Sequence, residues 1–282
     1  YSSSGNSQKV SDKGLFCIGD SVMLSAYTNI QAVYPDSIVD AAVSRQIYQA
    51  QDILRWYQSQ GNIHNTVVIS LGTNGVLDEN NVEQVLEMIG SDKSIFWVNI
   101  YAPGVEWEAS NNEYLQELAK KHSNITIVDW NSYISQHTDL LEADGIHPME
   151  PGADAYAHLI QEKINEVMQK QKEIEEKEKQ LFDALYEGMK RIPGITFYCD
   201  YDTCSHTPII AFNLEDYDSS KISDVLSYKY DIITRCGAHC APLMHTHLNT
   251  VERGIVRFSL SFMNSMEEVN TVIDVLREMT EE

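Results

Sequence analysis

The sequence predicts an α/β domain, a parallel five-stranded sheet covered by helices on both faces, followed by a smaller α+β unit. Three observations carry this. Short apolar runs alternate with amphipathic helical patterns from Leu15 to Asp129. The first and third runs stop at glycine-containing polar turns, Gly19-Asp20-Ser21 and Gly72-Thr73-Asn74, as strands do at the carboxyl edge of a parallel sheet. The length of 282 residues exceeds that of the usual single domain.

The first run, Leu15-Phe16-Cys17-Ile18, enters the first turn, and a helical pattern of Val22, Met23, Ala26, Tyr27 and Ile30 begins at once. Ser37 to Ala41 reads as a second strand and Gln46 to Gln60 as an amphipathic helix. Strands follow at Val67 to Leu71, Ser94 to Ile100 and Ile125 to Asp129, separated by helices at Asn80 to Ile89 and Glu113 to Lys121. From Ala153 the helical pattern continues to Met189, with no Gly or Pro from Ala153 to Tyr186, and Gln169 to Gln180 is nearly all Lys, Glu and Gln. This reads as a helix of roughly 35 residues with a solvated middle, linking two domains; two helices with a frayed joint are the alternative. The last part reads as a helix, then strands at Thr196 to Cys199 and Ile209 to Leu214. A helix at Ser219 to Tyr228, strands at Ile232 to Arg235 and Ile255 to Leu260, and a helix at Met266 to Met279 complete it. The expected division is a linker tail over 1–13, a first domain over 14–168, a polar helical linker over 169–180 and a second domain over 181–282.

Ser21 stands where a strand turns into a helix, a place that suits a nucleophile; a Ser before a helix is also a common N-cap. What favours the nucleophile is the chemistry further along. Asp144-Gly145-Ile146-His147-Pro148 sets a carboxylate three residues before an imidazole, so Asp144 can hold the tautomer of His147 while its far nitrogen faces Ser21. Asn74, at the same sheet edge, offers a side-chain amide to an oxyanion.

Gly19-Asp20-Ser21, Gly72-Thr73-Asn74 and Asp144-x-x-His147 resemble the blocks of the SGNH (GDSL-type) hydrolases, a three-layer α/β/α fold. With Asp40 to Gln46 and the Asp-Gly-Ile-His-Pro context, roughly residues 12 to 168 resemble the extracytoplasmic catalytic domain of bacterial peptidoglycan O-acetyltransferases. The resemblance implies a triad of Ser21, Asp144 and His147, and an oxyanion hole from Asn74, the Ser21 N–H and the Val43-Ser44 backbone. Many members have a Gly after the second strand, and Val43-Ser44 departs from that. The implied activity is O-acetyl transfer through an acetyl-enzyme to the 6-hydroxyl of N-acetylmuramoyl residues, with carbohydrate acetylesterase as the alternative. Its substrates would be an acetyl donor and the peptidoglycan glycan, its location the cell surface, and an upstream membrane acyltransferase domain would precede it. Arg45 could hold a substrate carboxylate or pair with an acid, and Trp107 could floor a sugar site or pack on the core.

Arg235 to Leu243, followed by Gly254 to Ser259, resembles the C-terminal small domain of class V aminotransferases, closest to cysteine desulfurases. Cys240 matches the mobile sulfur-accepting cysteine and Arg257 the carboxylate-gripping arginine, with His239 inside the same motif. The large domain that carries the pyridoxal phosphate lysine has no counterpart, so no pyridoxal phosphate is expected; an orphan fragment or fusion, or a docking module, is. Such relatives are cytosolic, so the location of this half stays open. Cys199, Cys204, Cys236 and Cys240 with His206, His239, His245 and His247 could also supply zinc ligands, but their spacing is not the usual one, and no metal is expected.

The formal net charge of −22 sets the chain against phosphate backbones, which argues against nucleic acid as a partner. No run approaches the ~20 apolar residues needed to span a bilayer.

Overall fold

The computed structural model describes residues 10–203, 206–239 and 241–281. The chain divides into two compact units, 1–171 and 172–282.

In the first unit, β1 (Phe16–Gly19), α1 (Ser21–Ser25), α2 (Tyr27–Val33), β2 (Ile38–Ala41), α3 (Ala50–Ser59), β3 (Thr66–Ser70), α4 (Glu79–Ile89), β4 (Ser94–Val98), α5 (Glu108–Lys121), β5 (Ile125–Val128) and α6 (Trp130–Ser135) follow in turn. The strands form one all-parallel sheet in the order β2-β1-β3-β4-β5. Every residue of β1, β3 and β4 is buried, whereas the edge strands are partly open, which is why the central runs read as unbroken apolar stretches.

Alternate strand residues serve opposite faces. Cys17, Val68, Phe96 and Val128 meet Val22, Met23, Ile30, Trp130 and Ile134 on one side. Phe16, Ile18, Val67, Ile69 and Trp97 meet Leu54, Val85, Leu115 and Leu118 on the other. The result is the α/β/α sandwich expected from the sequence. Because β1 neighbours both β2 and β3, the direction of winding reverses between β1 and β3, and a crevice opens at their carboxyl ends.

The helix α7 (Glu150–Met189) is a single helix of 40 residues, and the division between the units falls inside it. Its first part supplies Ala153, Tyr156, Ala157, Ile160 and Ile164 to the first unit's core. Its last part supplies Leu181, Phe182, Leu185 and Met189 to the second unit's core.

In the second unit, β6 (Ile195–Phe197), β7 (Ile209–Leu214), α8 (Ser219–Tyr230), β8 (Arg235–Gly237), α9 (Pro242–His247), β9 (Ile255–Ser259) and α10 (Met266–Glu281) build a small α+β fold. Its sheet is antiparallel, in the order β6-β7-β9-β8.

Four local expectations shift. The first helix is two, broken at Ala26. The helix expected from Glu113 begins at Glu108, because Asn111 and Asn112 bond to neighbouring loops and need not oppose the helix. The strand expected at Ile232 to Arg235 starts only at Arg235: Asp231 caps α8 in the left-handed region, and Ile233 is 89% exposed. The short helices α6 and α9 carry too few periodic positions to be read.

Gly152 provides a test of packing at the start of α7. A Cβ there would lie 2.4 Å from the Leu140 carbonyl oxygen, a backbone atom that cannot move aside alone. Gly152→Ala should therefore destabilise the first unit by about 1–3 kcal/mol, although Ala is ordinarily the better helix former. All four tryptophans (56, 97, 107 and 130) lie in this unit, so a urea titration followed by tryptophan fluorescence reports it alone. An unchanged midpoint would refute the close approach.

Candidate active site

The site begins where β1 meets α1. A Cβ on Gly19 would stand 2.5 Å from both Cβ and Sδ of Met23, so only a bare Cα lets the helix turn back this closely. Asp20 is the N-cap: its Oδ1 accepts the Val22 N–H at 3.0 Å, and its backbone N–H donates to the Ser70 carbonyl of β3 at 3.0 Å. Ser21 is thus the first helical residue and not the cap. Its hydroxyl is left for something else.

That partner is His147. Leu140 to Met149 forms a narrow bracket. Met149 N–H donates to the Leu140 carbonyl at 2.9 Å, Leu141 bridges Pro148, and Glu142 N–H donates to the His147 carbonyl at 2.8 Å. At its tip Gly145 takes φ +69°, and Asp144 Oδ1 accepts the N–H groups of Ile146 (2.9 Å) and His147 (3.1 Å). The other carboxylate oxygen, Oδ2, accepts from His147 Nδ1 at 2.6 Å, and Ser21 Oγ donates to His147 Nε2 at 2.8 Å. The tautomer these contacts require carries its proton on Nδ1. The backbone N–H of Ile146, the His147 ring and the His147 N–H hold the Asp144 carboxyl down at about 2, so it stays ionised.

Two loops flank the serine. After β2, Ser44 adopts φ +59°, the left-handed conformation that Gly takes freely, so the backbone keeps a Gly-like turn where the sequence has Ser. Ala42 N–H ties this loop to the Gly19 carbonyl at 3.2 Å. Arg45 is buried; its guanidinium donates to the Asp40 carboxylate and to the carbonyls of Asp40 and Gly19. It clamps the ends of β1 and β2, the pairing reading of this residue.

After β3, Asn74 lies in the turn that follows Gly72, with its amide donating weakly to the Arg45 carbonyl at 3.4 Å. The turn is held from α5. Asn111, buried, donates to the carbonyls of Gly72 and Gly75 (3.0 Å each) and accepts the Leu77 N–H at 2.9 Å. Trp107 donates its indole N–H to the Thr73 carbonyl at 3.2 Å, so it braces the turn. Sequence reading missed Asn111; the available signal was a pair of Asn residues inside a helical stretch.

In the second unit, His239 has φ +47° and its Nε2 bonds the Ile255 carbonyl at 3.0 Å; burial chiefly lowers its pKa. Arg257 on β9 is in register with Arg235 on β8. Cys240, and Cys204 of the zinc alternative, lie outside the described residues. No three His, Cys, Asp or Glu side chains converge on a metal-sized site among the described residues. A Schiff-base lysine needs a pocketed, desolvated amine. All six lysines of this unit (172, 177, 179, 190, 221 and 229) are exposed, so its residues do not fit pyridoxal phosphate.

Asp20 and Asp144 make opposite contributions to stability. Burial pushes the Asp20 carboxyl up to about 6, against the pull of the Val22 N–H, Thr73 and His147. A raised carboxyl favours folding fully below its ordinary value of 3.8, and that contribution is lost as pH rises through about 6. The lowered Asp144 favours folding above 3.8, and its contribution is lost as pH falls through about 2. The stability of wild type relative to Asp20→Asn should therefore decline as pH rises from about 4 to about 6.5. Paired urea titrations check this, and a pH-independent difference would refute it.

A relative from Bacillus subtilis (strain 168), YrhL, is 36% identical over 148 residues, 52% of this chain and 23% of its own. The peptidoglycan O-acetyltransferase OatA of Listeria monocytogenes is 31% identical over 149 residues, again 52% of this chain and 23% of its own. The chain thus spans about a quarter of the length of the curated relatives it matches. The solved C-terminal catalytic domain of Streptococcus pneumoniae peptidoglycan O-acetyltransferase A superposes with a TM-score of 0.51 at 27% identity, covering 56% of this chain and 95% of that one. The family model described as Aminotransferase class-V matches residues 156–272. Among the described residues no helix is long and apolar enough to cross a membrane. The chain's homologues are peptidoglycan O-acetyltransferases, and its first unit has the SGNH-type fold of their catalytic domain.

Proposed function

We propose that Ser21 carries an acetyl group from a donor ester to a hydroxyl of a peptidoglycan sugar, the 6-hydroxyl of N-acetylmuramoyl residues. The observation that carries this is the unbroken relay Ser21–His147–Asp144, at 2.8 and 2.6 Å. Ser21 Oγ attacks the ester carbonyl as its proton passes to His147 Nε2, and Asp144 stabilises the imidazolium. The tetrahedral oxyanion is met by the Asn74 amide, the Ser21 N–H and the backbone of Val43-Ser44. Collapse releases the donor's alcohol, which takes the proton back from His147. The acceptor hydroxyl then gives its proton to His147 and attacks acetyl-Ser21; the bond from Ser21 Oγ to the acyl carbon breaks, His147 returns the proton to Oγ, and the acceptor leaves as the acetyl ester.

Peptidoglycan lies outside the cytoplasmic membrane, so the first unit would work at the cell surface, with its donor supplied by a membrane acyltransferase domain. Arg45 and Trp107 serve the loops around the site rather than the substrate. The second unit works without pyridoxal phosphate, as a docking or structural module.

Hydrolysis is the second reading. The Asp144 side chain is 49% and that of His147 33% exposed, which leaves water a path to the acetyl-enzyme. Both readings use the same residues.

Incubation with p-nitrophenyl acetate should label Ser21 with one acetyl group, read by peptide mass spectrometry, and an unlabelled folded protein would sink the proposal. Ser21→Ala and His147→Ala should each abolish nearly all turnover, and the double variant should be no worse than either, since they act as one unit.

Asn74→Ala should lower kcat about a hundredfold or more with little change in KM. A change confined to KM would make Asn74 a ground-state contact instead.

A further inference from the structure

Behind the nucleophile lies a carboxyl that takes no part in the proton relay. Asp20 is 0% exposed, and its Oδ1 caps α1 through the Val22 N–H at 3.0 Å. Asn or Ser would cap as well, and neither brings a charge into the core. The other oxygen, Oδ2, is buried with no partner at full hydrogen-bond geometry. The N–H and the hydroxyl of Thr73 lie beside this carboxyl, and both favour its ionised form. Thr73 is the residue before Asn74. We propose that Asp20 is a positioning residue for acetyl transfer: as the carboxylate it holds Thr73, and through Thr73 it sets the Asn74 amide on the oxyanion formed at Ser21. The inference rests on the acetyl-transfer reading given above.

The turn from Gly72 to Gly75 is gripped from α5 by its carbonyls. Asn111 takes those of Gly72 and Gly75, and Trp107 takes that of Thr73. The Thr73 N–H is left to another partner, and a carboxylate has only acceptors to offer it. With Oδ1 committed to the Val22 N–H, Oδ2 is the oxygen free to serve Thr73. A proton on Oδ2 reverses this, since an O–H then faces two donors. The Thr73 hydroxyl can turn round and accept, but the backbone N–H cannot. The turn has to shift, and Asn74 shifts with it.

The surrounding charges make this grip strongest when the oxyanion forms. His147 is near enough for its positive charge to favour the Asp20 carboxylate. The imidazole gains that charge as it takes the Ser21 proton, in the step that creates the oxyanion. The other ionisable groups hold one state meanwhile. Burial pushes the Tyr156 phenol of α7 and the Cys17 thiol of β1 up, so both stay neutral. Asp144, bonded to the far side of the imidazole, is already ionised, and Arg45 on the Gly19 carbonyl is a guanidinium, always charged in proteins. Burial is also what raises the Asp20 carboxyl to about 6, so its ionisation falls close to neutral pH.

The pH profiles of kcat and KM for p-nitrophenyl acetate, taken on the full-length protein, provide the test. Wild type needs both Asp20 and the imidazole deprotonated, so the acid limb of log kcat should rise with a slope above one. Asp20→Asn keeps the shape and the cap and needs only the imidazole. Its limb should have a slope of one and a plateau about ten- to a hundredfold lower, with KM little changed. A merely structural role would lower the plateau and leave the slope alone. Thr73→Val removes a group that favours the carboxylate, so its acid limb should move to higher pH. Equal slopes in wild type and Asp20→Asn, or a limb unmoved by Thr73→Val, overturn the proposal. If wild type leaves Ser21 unlabelled, the acetyl-transfer reading falls, and NMR reads the coupling without it. In His147→Ala the amide shifts of Thr73 and Asn74 should titrate as Asp20 ionises, and adding Asp20→Asn should flatten them. Shifts indifferent to Asp20→Asn overturn the proposal by themselves.

Discussion

The bare Cα of Gly19 is the constraint on which the rest of the site depends. Met23 packs against it so closely that any side chain there would push α1 away from the sheet. With α1 seated, Asp20 can cap the helix and donate its own N–H to Ser70, which joins β1 to β3 beyond the end of their pairing. Once Asp20 has taken the capping role, the Ser21 hydroxyl owes nothing to the helix. It can give its hydrogen bond to His147 because its neighbour has satisfied the backbone.

A second layer of contacts turns loops into fixed parts. Arg45 ties the ends of β1 and β2 together from inside, and Asn111 and Trp107 grip the turn after β3 from α5. None of these side chains reaches the serine. They set where the backbone of Ser44 and the amide of Asn74 stand, and a few tenths of an ångström there matter for an oxyanion.

Much of this was legible in the residues. The parallel sheet could be read because its three central strands are buried on both faces, so their apolar runs are unbroken. Ser21, Asn74 and the Asp144–His147 pair could be read because each sits at a polar turn of distinctive spacing. The capping role of Asp20 could not, since Asp and Ser are equally good caps and only coordinates choose between them. Nor could Asn111, whose partners are backbone atoms more than thirty residues away and leave no side-chain pattern. Ser44 shows the opposite limit. A sequence lacking Gly still takes the left-handed turn, because the surrounding hydrogen bonds outweigh a strain of about 1–2 kcal/mol.

The separation of Ser21 from His147, 126 residues along the chain, has a consequence for biosynthesis. A ribosome makes Ser21 early and His147 late, and the bracket that aims the imidazole is closed against Gly152, later still. The same half of α7 that follows also completes the hydrophobic face under α1. A nascent or prematurely ended chain therefore displays Ser21 as an ordinary hydroxyl, without a proton acceptor. The contacts that make Ser21 distinctive are therefore complete only when the first unit is whole.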